Sequence, residues 1–328
     1  AEDGIRDIGV TGVQTCALPI SNVATSLFNL ANLCLEQKKE IEAIAYSKRA
    51  QEILLAHLKA TAEGQSESAQ QVYLNKNRFY LDTFLRSSLT SNQSGYEALL
   101  AWKGNLFLRQ QRQRAFASGD PQAQKIQTRL QDTSRQLARL YNTTPKPGEE
   151  KPYRDKLTAL AGELEKAEQE LAAVSAPFLR ARERARLKPE ELAALLPADS
   201  ALVDLLEYWH YLPAEGGKET WERLYLAWVL RPGRPVARVP LGSATEINEL
   251  VSRWRAGIKK RVAPVEGDTD PALALRDKVL GPLLPHLEGV KSLLVSPDSQ
   301  LGTVPFAALP GRDKGKYLIE EKIGRAHV

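Results

Sequence analysis

The hydrophobic pattern of this chain changes its period near Pro197, and that change limits the folds open to it. From about residue 66 to 187, apolar residues recur every three or four positions, as on the buried faces of helices. After Pro197 come "SALVDLLEYWHYL" and "RLYLAWVL", runs of aliphatic, aromatic and β-branched residues that are typical of strands. A helix and a buried strand then follow each other, an order that is typical of α/β domains. We therefore predict an α+β protein, with an all-α helical part followed by the incomplete start of an α/β domain.

The stretch "SLFNLANLCLEQKKEIEAIAYSKRAQEIL" (26–54) predicts two helices joined by a turn at "QKK". Its spacing resembles a tetratricopeptide repeat, with large and small residues at the expected positions: Leu27, Leu30, Ala31, Cys34, Ala43 and Ala50. One such unit cannot bury its faces alone, and at least about three are normally needed. We therefore expect further repeats upstream and a protein or peptide partner for the repeat surface.

Two long amphipathic stretches, Gln122 to Tyr141 and Tyr153 to Leu187, flank a proline-rich turn. This arrangement predicts an antiparallel helical hairpin of the coiled-coil kind. Pro177 should kink or end the second helix early, because proline lacks the backbone N–H that the helix needs.

Beyond the first two predicted strands, "SATEINELVSRWRAGIKK" predicts a helix capped by Ser243. A second helix, "ALALRDKVLGPLLPHL", precedes the short apolar strand "SLLVS". A sheet with so few strands should leave unpaired edges and exposed apolar faces near Leu202 to Leu230 and Leu293 to Ser296.

The stretch "LVSPDSQLGTVPFAALPG" (294–311), followed by "YLIEE", is the most specific part of the sequence. A buried strand ends at Ser296, a Pro-Asp turn reverses the chain, and an apolar plug returns to the sheet through Val304, Pro305, Phe306 and Leu309. These residues resemble the entry to a CHAT domain, the caspase-like domain often found behind tetratricopeptide repeats in bacteria. The resemblance implies a caspase-like cysteine peptidase.

In that family, a His and a Cys on later strands form the catalytic dyad, and no matching segment occurs in this sequence. The other candidates do not replace it: Cys34 sits at a repeat core position, and His57 should be a surface or capping residue. His210 and His286 lack the spacing of metal ligands. No residue is therefore predicted to be catalytic, cofactor-binding or metal-binding, and no cofactor is expected.

The two ends resemble translated sequencing adapter: "AEDGIRDIGVTGVQTCALPI" at 1–20 and "IGRAHV" at 323–328, which includes His327. We exclude both from fold reasoning as non-native. The predicted organisation is a tetratricopeptide-like repeat at 21–62, a helical linker region at 63–196 and the amino-terminal part of a CHAT domain at 197–322. The chain is thus interpreted as a fragment.

The formal net charge of +5 comes from interleaved bases and acids, so we expect no nucleic-acid partner. No run approaches the roughly 18 apolar residues of a membrane span, so we expect no membrane partner. With Cys16 in the adapter-like segment, Cys34 alone cannot form an intrachain disulfide, which suits a reducing, cytoplasmic setting.

The leading hypothesis is a bacterial cysteine endopeptidase regulated by protein binding to its repeats. A non-catalytic interaction scaffold is the alternative.

Overall fold

The computed structural model describes residues 20–61, 67–89, 95–104, 120–141, 143, 145–146, 148–184, 187–212, 220–260, 270–311, 313 and 315–321. The adapter-like segments, apart from residue 20, lie outside these ranges. Within the described ranges, nine helical segments come first: α1 (Ile20–Glu36), α2 (Glu40–Thr61), α3 (Glu67–Lys76), α4 (Arg78–Ser87), α5 (96–104), α6 (Pro121–Tyr141), α7 (Glu150–Val174), α8 (Ala176–Arg184) and α9 (Pro189–Ala194).

Helices α1 and α2 pack against each other as a hairpin, as the sequence predicts. The three small residues of the repeat pattern, Ala31, Ala43 and Ala50, are at most 1% exposed, so they lie where the helices approach closely. Leu30, in contrast, is 41% exposed. The helical hairpin is confirmed, and its assignment as a tetratricopeptide repeat stays a prediction.

Helices α6 and α7 form the second predicted hairpin. The Arg129 guanidinium contacts the Glu170 carboxylate, and the Tyr153 hydroxyl donates to the Leu140 carbonyl at 3.1 Å, which makes the two helices antiparallel. Helix α7 ends at Val174, and Pro177 falls in the first turn of α8. The prediction that Pro177 ends the long helix early is confirmed.

The part of the chain that the structure describes contains one sheet of four strands, in the order β3-β2-β1-β4. Strands β1 (Ser200–Leu212), β2 (Thr220–Leu230) and β3 (Ala237–Ser243) pair antiparallel, whereas β4 (Ser292–Ser296) pairs parallel with the first residues of β1. A mixed sheet behind a helical region confirms the α+β class.

Helices cover both faces of the sheet. Alternate residues of β1, such as Val203 and Leu205, join a core with α10 (Ala244–Lys260) and α11 (Pro271–Val279). The others, such as Leu202 and Leu206, join a core with α2, α4 and α5. The expectation of exposed apolar faces was therefore wrong, because the helical region packs on one face. Among the described residues, β3 and β4 are the edge strands.

The predicted helix "ALALRDKVLGPLLPHL" is two elements. Helix α11 ends at Val279, and a 3-10 helix follows at Gly281–His286, because Gly281, Pro282 and Pro285 do not support a continuous α-helix. The apolar plug is confirmed in part: Val304 and Leu309 are buried in the core and Phe306 packs against it, whereas Pro305 is exposed. Helix α12 (Leu318–Glu321) follows the plug.

Candidate functional site

The Pro-Asp turn lies beside a part of β1 that no strand in the described residues covers. Strand β4 pairs with β1 only from Ser200 to Asp204, and β1 continues to Leu212. The backbone groups of β1 beyond Asp204 would therefore be unpaired on this side, which is costly inside a folded protein. Side chains from two helices and from the turn make hydrogen bonds to these backbone groups instead.

Asp298 supplies the first of these side chains. Its Oδ2 atom accepts hydrogen bonds from the Glu207 backbone N–H at 3.0 Å and from Arg78 Nη2 at 3.0 Å. The same Arg78 Nη2 donates to the Glu207 carbonyl at 2.7 Å. One residue of β1, Glu207, thus has a carboxylate in place of a neighbouring strand's C=O and a guanidinium in place of its N–H.

The chain reverses sharply directly after Asp298. Ser299 has a φ of 52°, in the left-handed region that residues other than Gly, Asn and Asp seldom adopt. A 3-10 helix at Ser299–Thr303 follows, and Leu301 is fully buried in the core under the sheet. The buried Leu301 anchors the turn, so the Asp298 carboxyl group is held against β1 from the carboxyl side of β4.

Asp82, on α4, extends the same row of contacts. Its Oδ2 accepts from the Trp209 backbone N–H at 3.3 Å, and its Oδ1 lies 3.5 Å from Arg78 Nε. The side chain is almost fully buried, and this burial raises the pKa of Asp82 to about 7, although Arg78 and the Trp209 N–H act in the opposite direction. Asp82 therefore changes charge near neutral pH.

Lys103, on α5, occupies the first uncovered position of β1. Its Nζ atom donates to the Leu205 carbonyl at 2.6 Å and to Asp204 Oδ1 at 2.6 Å, and lies 3.5 Å from Ser296 Oγ. The Tyr96 hydroxyl donates to the other Asp204 oxygen at 3.1 Å. Burial, followed by the Asp204 charge, raises the pKa of Tyr96, so its hydroxyl stays protonated. The buried Asp204 carboxylate is thus fully partnered.

Glu207 carries a second polar group to the opposite face of the sheet. Its carboxylate accepts from Arg223 at 3.1 Å and from the Tyr225 hydroxyl at 3.1 Å. Arg223 in turn stacks over the Trp209 ring at 4.5 Å. An open groove of about 780 Å³ lies here between the distal ends of strands β1 and β2 and helix α10. It is lined by Trp209, Trp221, Glu222, Arg223, Thr245, Asn248, Glu249, Ser252, Arg253 and Gln300.

The contacts along β1 do not form a catalytic arrangement. Every carboxylate in the row is held by a cation or a backbone N–H, and nucleophilic catalysis needs an activated nucleophile beside a base. Cys34, the cysteine of the described residues, lies buried in α1 and not in the sheet. Within the described ranges, no three His, Cys, Asp or Glu side chains are grouped so that they could hold a metal ion.

The three histidines that the sequence analysis weighed lie apart from one another. His57 is not a surface residue: its Nδ1 lies 2.6 Å from the Tyr73 hydroxyl, and burial lowers the pKa of His57 to about 4. His210 is on β1, where burial lowers its pKa, and His286 ends the 3-10 helix. The expectation of a surface or capping role for His57 was wrong, because the Tyr73 and Tyr141 rings pack against it and its Nε2 atom is buried.

Sequence reasoning missed Arg78, Asp82 and Lys103 altogether. The signals were present but weak: Arg78 and Asp82 interrupt an aromatic stretch at a spacing of four, and Asp204 interrupts an apolar strand. Their partners lie far away in sequence, since Arg78 and Asp298 are 220 positions apart. No local pattern joins residues at that separation.

The Pro-Asp turn follows β4, the parallel strand of a mixed sheet that packs against the helical region. The sequence model of the CHAT domain family matches residues 269–325, which include α11, β4, the turn and the plug. This segment therefore matches the CHAT domain family, as the resemblance of its residues predicts. No curated protein and no solved structure matches the chain. None of the helices in the described part of the chain is long and apolar enough to cross a membrane.

Proposed function

We propose that the chain is part of a caspase-like cysteine endopeptidase whose helical repeats bind the protein that regulates it or that it cleaves. The match of residues 269–325 to the CHAT domain carries this proposal, because that family is a caspase-like peptidase family. The helical hairpin α1–α2, with its buried small residues, supports the assignment of a repeat surface suited to a peptide or protein partner.

The outer edge of β4 is the place where further strands would add. In the described residues, β4 pairs with β1 on one side and with nothing on the other. A parallel strand added here would end beside the Pro-Asp turn, at the carboxyl end of the sheet, where α/β proteins place their reactive groups. The resemblance implies a His and a Cys on such later strands, so this edge is where the dyad would be built.

The chain as given should have no peptidase activity. Its cysteines are Cys16 and Cys34, and neither follows β4 in sequence. Incubation of the purified chain with a panel of fluorogenic peptides should release no fluorophore. Cleavage that disappears in a Cys34→Ala variant, but persists in a matched Ser47→Ala variant of the same hairpin, would overturn this prediction.

The proposal is tested by reading the source DNA outward from the codons for Leu294 to Glu321, past Lys322. A reading frame that continues through a His segment and a Cys segment supports the enzyme, and the extended protein should then cleave a peptide in a manner lost on substitution of that Cys. A frame that lacks either residue supports a non-catalytic scaffold.

A further inference from the structure

The uncovered length of β1 has an edge well suited to strand pairing. Leu205, Glu207 and Trp209 direct backbone groups toward the side of β4, but β4 has already ended. The stretch "LLEYW" is rich in aliphatic and aromatic residues, and such an edge readily pairs with any extended segment that reaches it. A protein with this edge must cover it or else associate through it.

Arg78 and Asp298 together make the hydrogen bonds of a missing strand residue. The Glu207 N–H donates to Asp298 Oδ2 and the Glu207 C=O accepts from Arg78 Nη2, while the two side chains hold each other at 3.0 Å. Both side chains are well covered, with exposed fractions of 28% and 23%, so solvent screens the pair only in part. Asp82 and Lys103 continue the cover at the neighbouring peptide units.

The two halves of this contact come from different layers of the molecule. Arg78 begins α4, which also packs on the hairpin through Ser87 and Ser47, whose Oγ atoms are 2.8 Å apart. Asp298 belongs to the turn after β4. The cover of β1 therefore forms only when the helical layer is docked on the sheet.

We propose that Arg78 and Asp298 form a latch that takes the place of a strand along β1 and keeps this edge closed to strand pairing. When the latch opens, the β1 edge between Leu205 and Trp209 becomes a docking site for an extended segment. In the purified protein, the available segment is the same edge of a second copy, because antiparallel pairing of two identical edges satisfies both. While the latch is closed, a further strand can add to the sheet at the outer edge of β4 but not at β1.

The test uses hydrogen exchange and sedimentation velocity on the chain, on three variants of the latch residues and on one control variant. In Asp298→Ala and Arg78→Ala, the amide of Glu207 should exchange on the order of tenfold faster, the ratio for one lost hydrogen bond of about 1.4 kcal/mol, and a concentration-dependent dimer should appear. Asp298→Asn keeps an oxygen that can accept from Glu207, so its exchange should rise less. Arg135→Ala, which removes an exposed pair with Asp132 on α6, should change neither measurement.

Three results would overturn the latch. The Glu207 amide could exchange at the parent rate in both alanine variants, or it could exchange faster while the variants stay monomeric. In all three latch variants, the amides of residues 225–230 in the interior strand β2 could also exchange faster by the same factor as the Glu207 amide. Arg78 and Asp298 would then be general stabilising contacts only. None of these readouts depends on peptidase activity, so their failure would leave the proposed function standing.

Discussion

At the scale of single residues, Asp82 is the carboxyl group whose pKa is most clearly changed by folding. Burial raises its pKa to about 7, against roughly 4 in an unfolded chain. The folded state therefore holds the Asp82 proton more tightly than the unfolded state does. Its contribution to the free energy of unfolding is most favourable below about pH 4 and is lost as the pH rises through 7.

We expect the Asp82→Asn variant to lose this pH dependence. Between about pH 5 and pH 8, the parent chain should lose about 3 kcal/mol of unfolding free energy through this group, at about 1.4 kcal/mol per pKa unit. The amide introduced by the substitution cannot titrate, and its oxygen can still accept from the Trp209 N–H. Urea unfolding of both proteins across that range measures the difference. His57, whose pKa is lowered, acts with the opposite sign in both proteins and cancels in the comparison. Parallel pH profiles for parent and variant would contradict the prediction.

At the scale of elements, Lys103 and Asp204 decide how α5 docks on β1. The Asp204 side chain is 6% exposed and lies 2.6 Å from Lys103 Nζ, so removing the lysine leaves a buried carboxylate with one neutral donor, Tyr96. Lys103→Met should cost roughly 3 kcal/mol in the free energy of unfolding, the range seen when one partner of a buried pair is removed.

The double variant separates this cost from a general loss of packing. Adding Asp204→Asn to Lys103→Met removes the stranded charge and keeps an acceptor for Tyr96, so most of the loss should return. Lys151→Met, which breaks an exposed pair with Asp155 on α7, should change the unfolding free energy by about 0.5 kcal/mol or less. If the double variant is no more stable than Lys103→Met, the docking of α5 depends on the hydrogen bond from Lys103 to the Leu205 carbonyl and not on the charge pair.

The elements also show how far the sequence alone can lead. Strands β1 and β2, the hairpin α1–α2 and the end of α7 before Pro177 were predicted, because period, small residues and proline are local signals. The break between α11 and the 3-10 helix was missed, although Gly281 and Pro282 mark it. The row of side chains along β1 could not be predicted, because it joins α4, α5 and the Pro-Asp turn through contacts that no spacing encodes.

At the scale of the whole molecule, the helical region and the sheet share one hydrophobic core. The face of β1 and β2 that looks toward α2, α4 and α5 carries six side chains that are at most 8% exposed: Leu202, Leu206, Tyr208, Leu226, Trp228 and Leu230. Burying each contributes about 1.5 to 3 kcal/mol, so together they are worth on the order of 10 kcal/mol. That is comparable to the entire net stability of a typical domain, about 5 to 15 kcal/mol.

We therefore expect residues 197–322, the predicted CHAT portion, to be unable to fold alone. This fragment keeps α10 and α11 on one face but exposes the six side chains on the other, together with the β1 edge that Arg78, Asp82 and Lys103 cover. It should bind a hydrophobic dye, self-associate and melt without a cooperative transition, whereas residues 20–322 should melt cooperatively under the same conditions. A monomeric 197–322 with a sharp melt would mean that the helical layer is a detachable partner of the sheet. The apolar face of β1 and β2 would then be stable in water without the helices, which the burial of its six large side chains argues against.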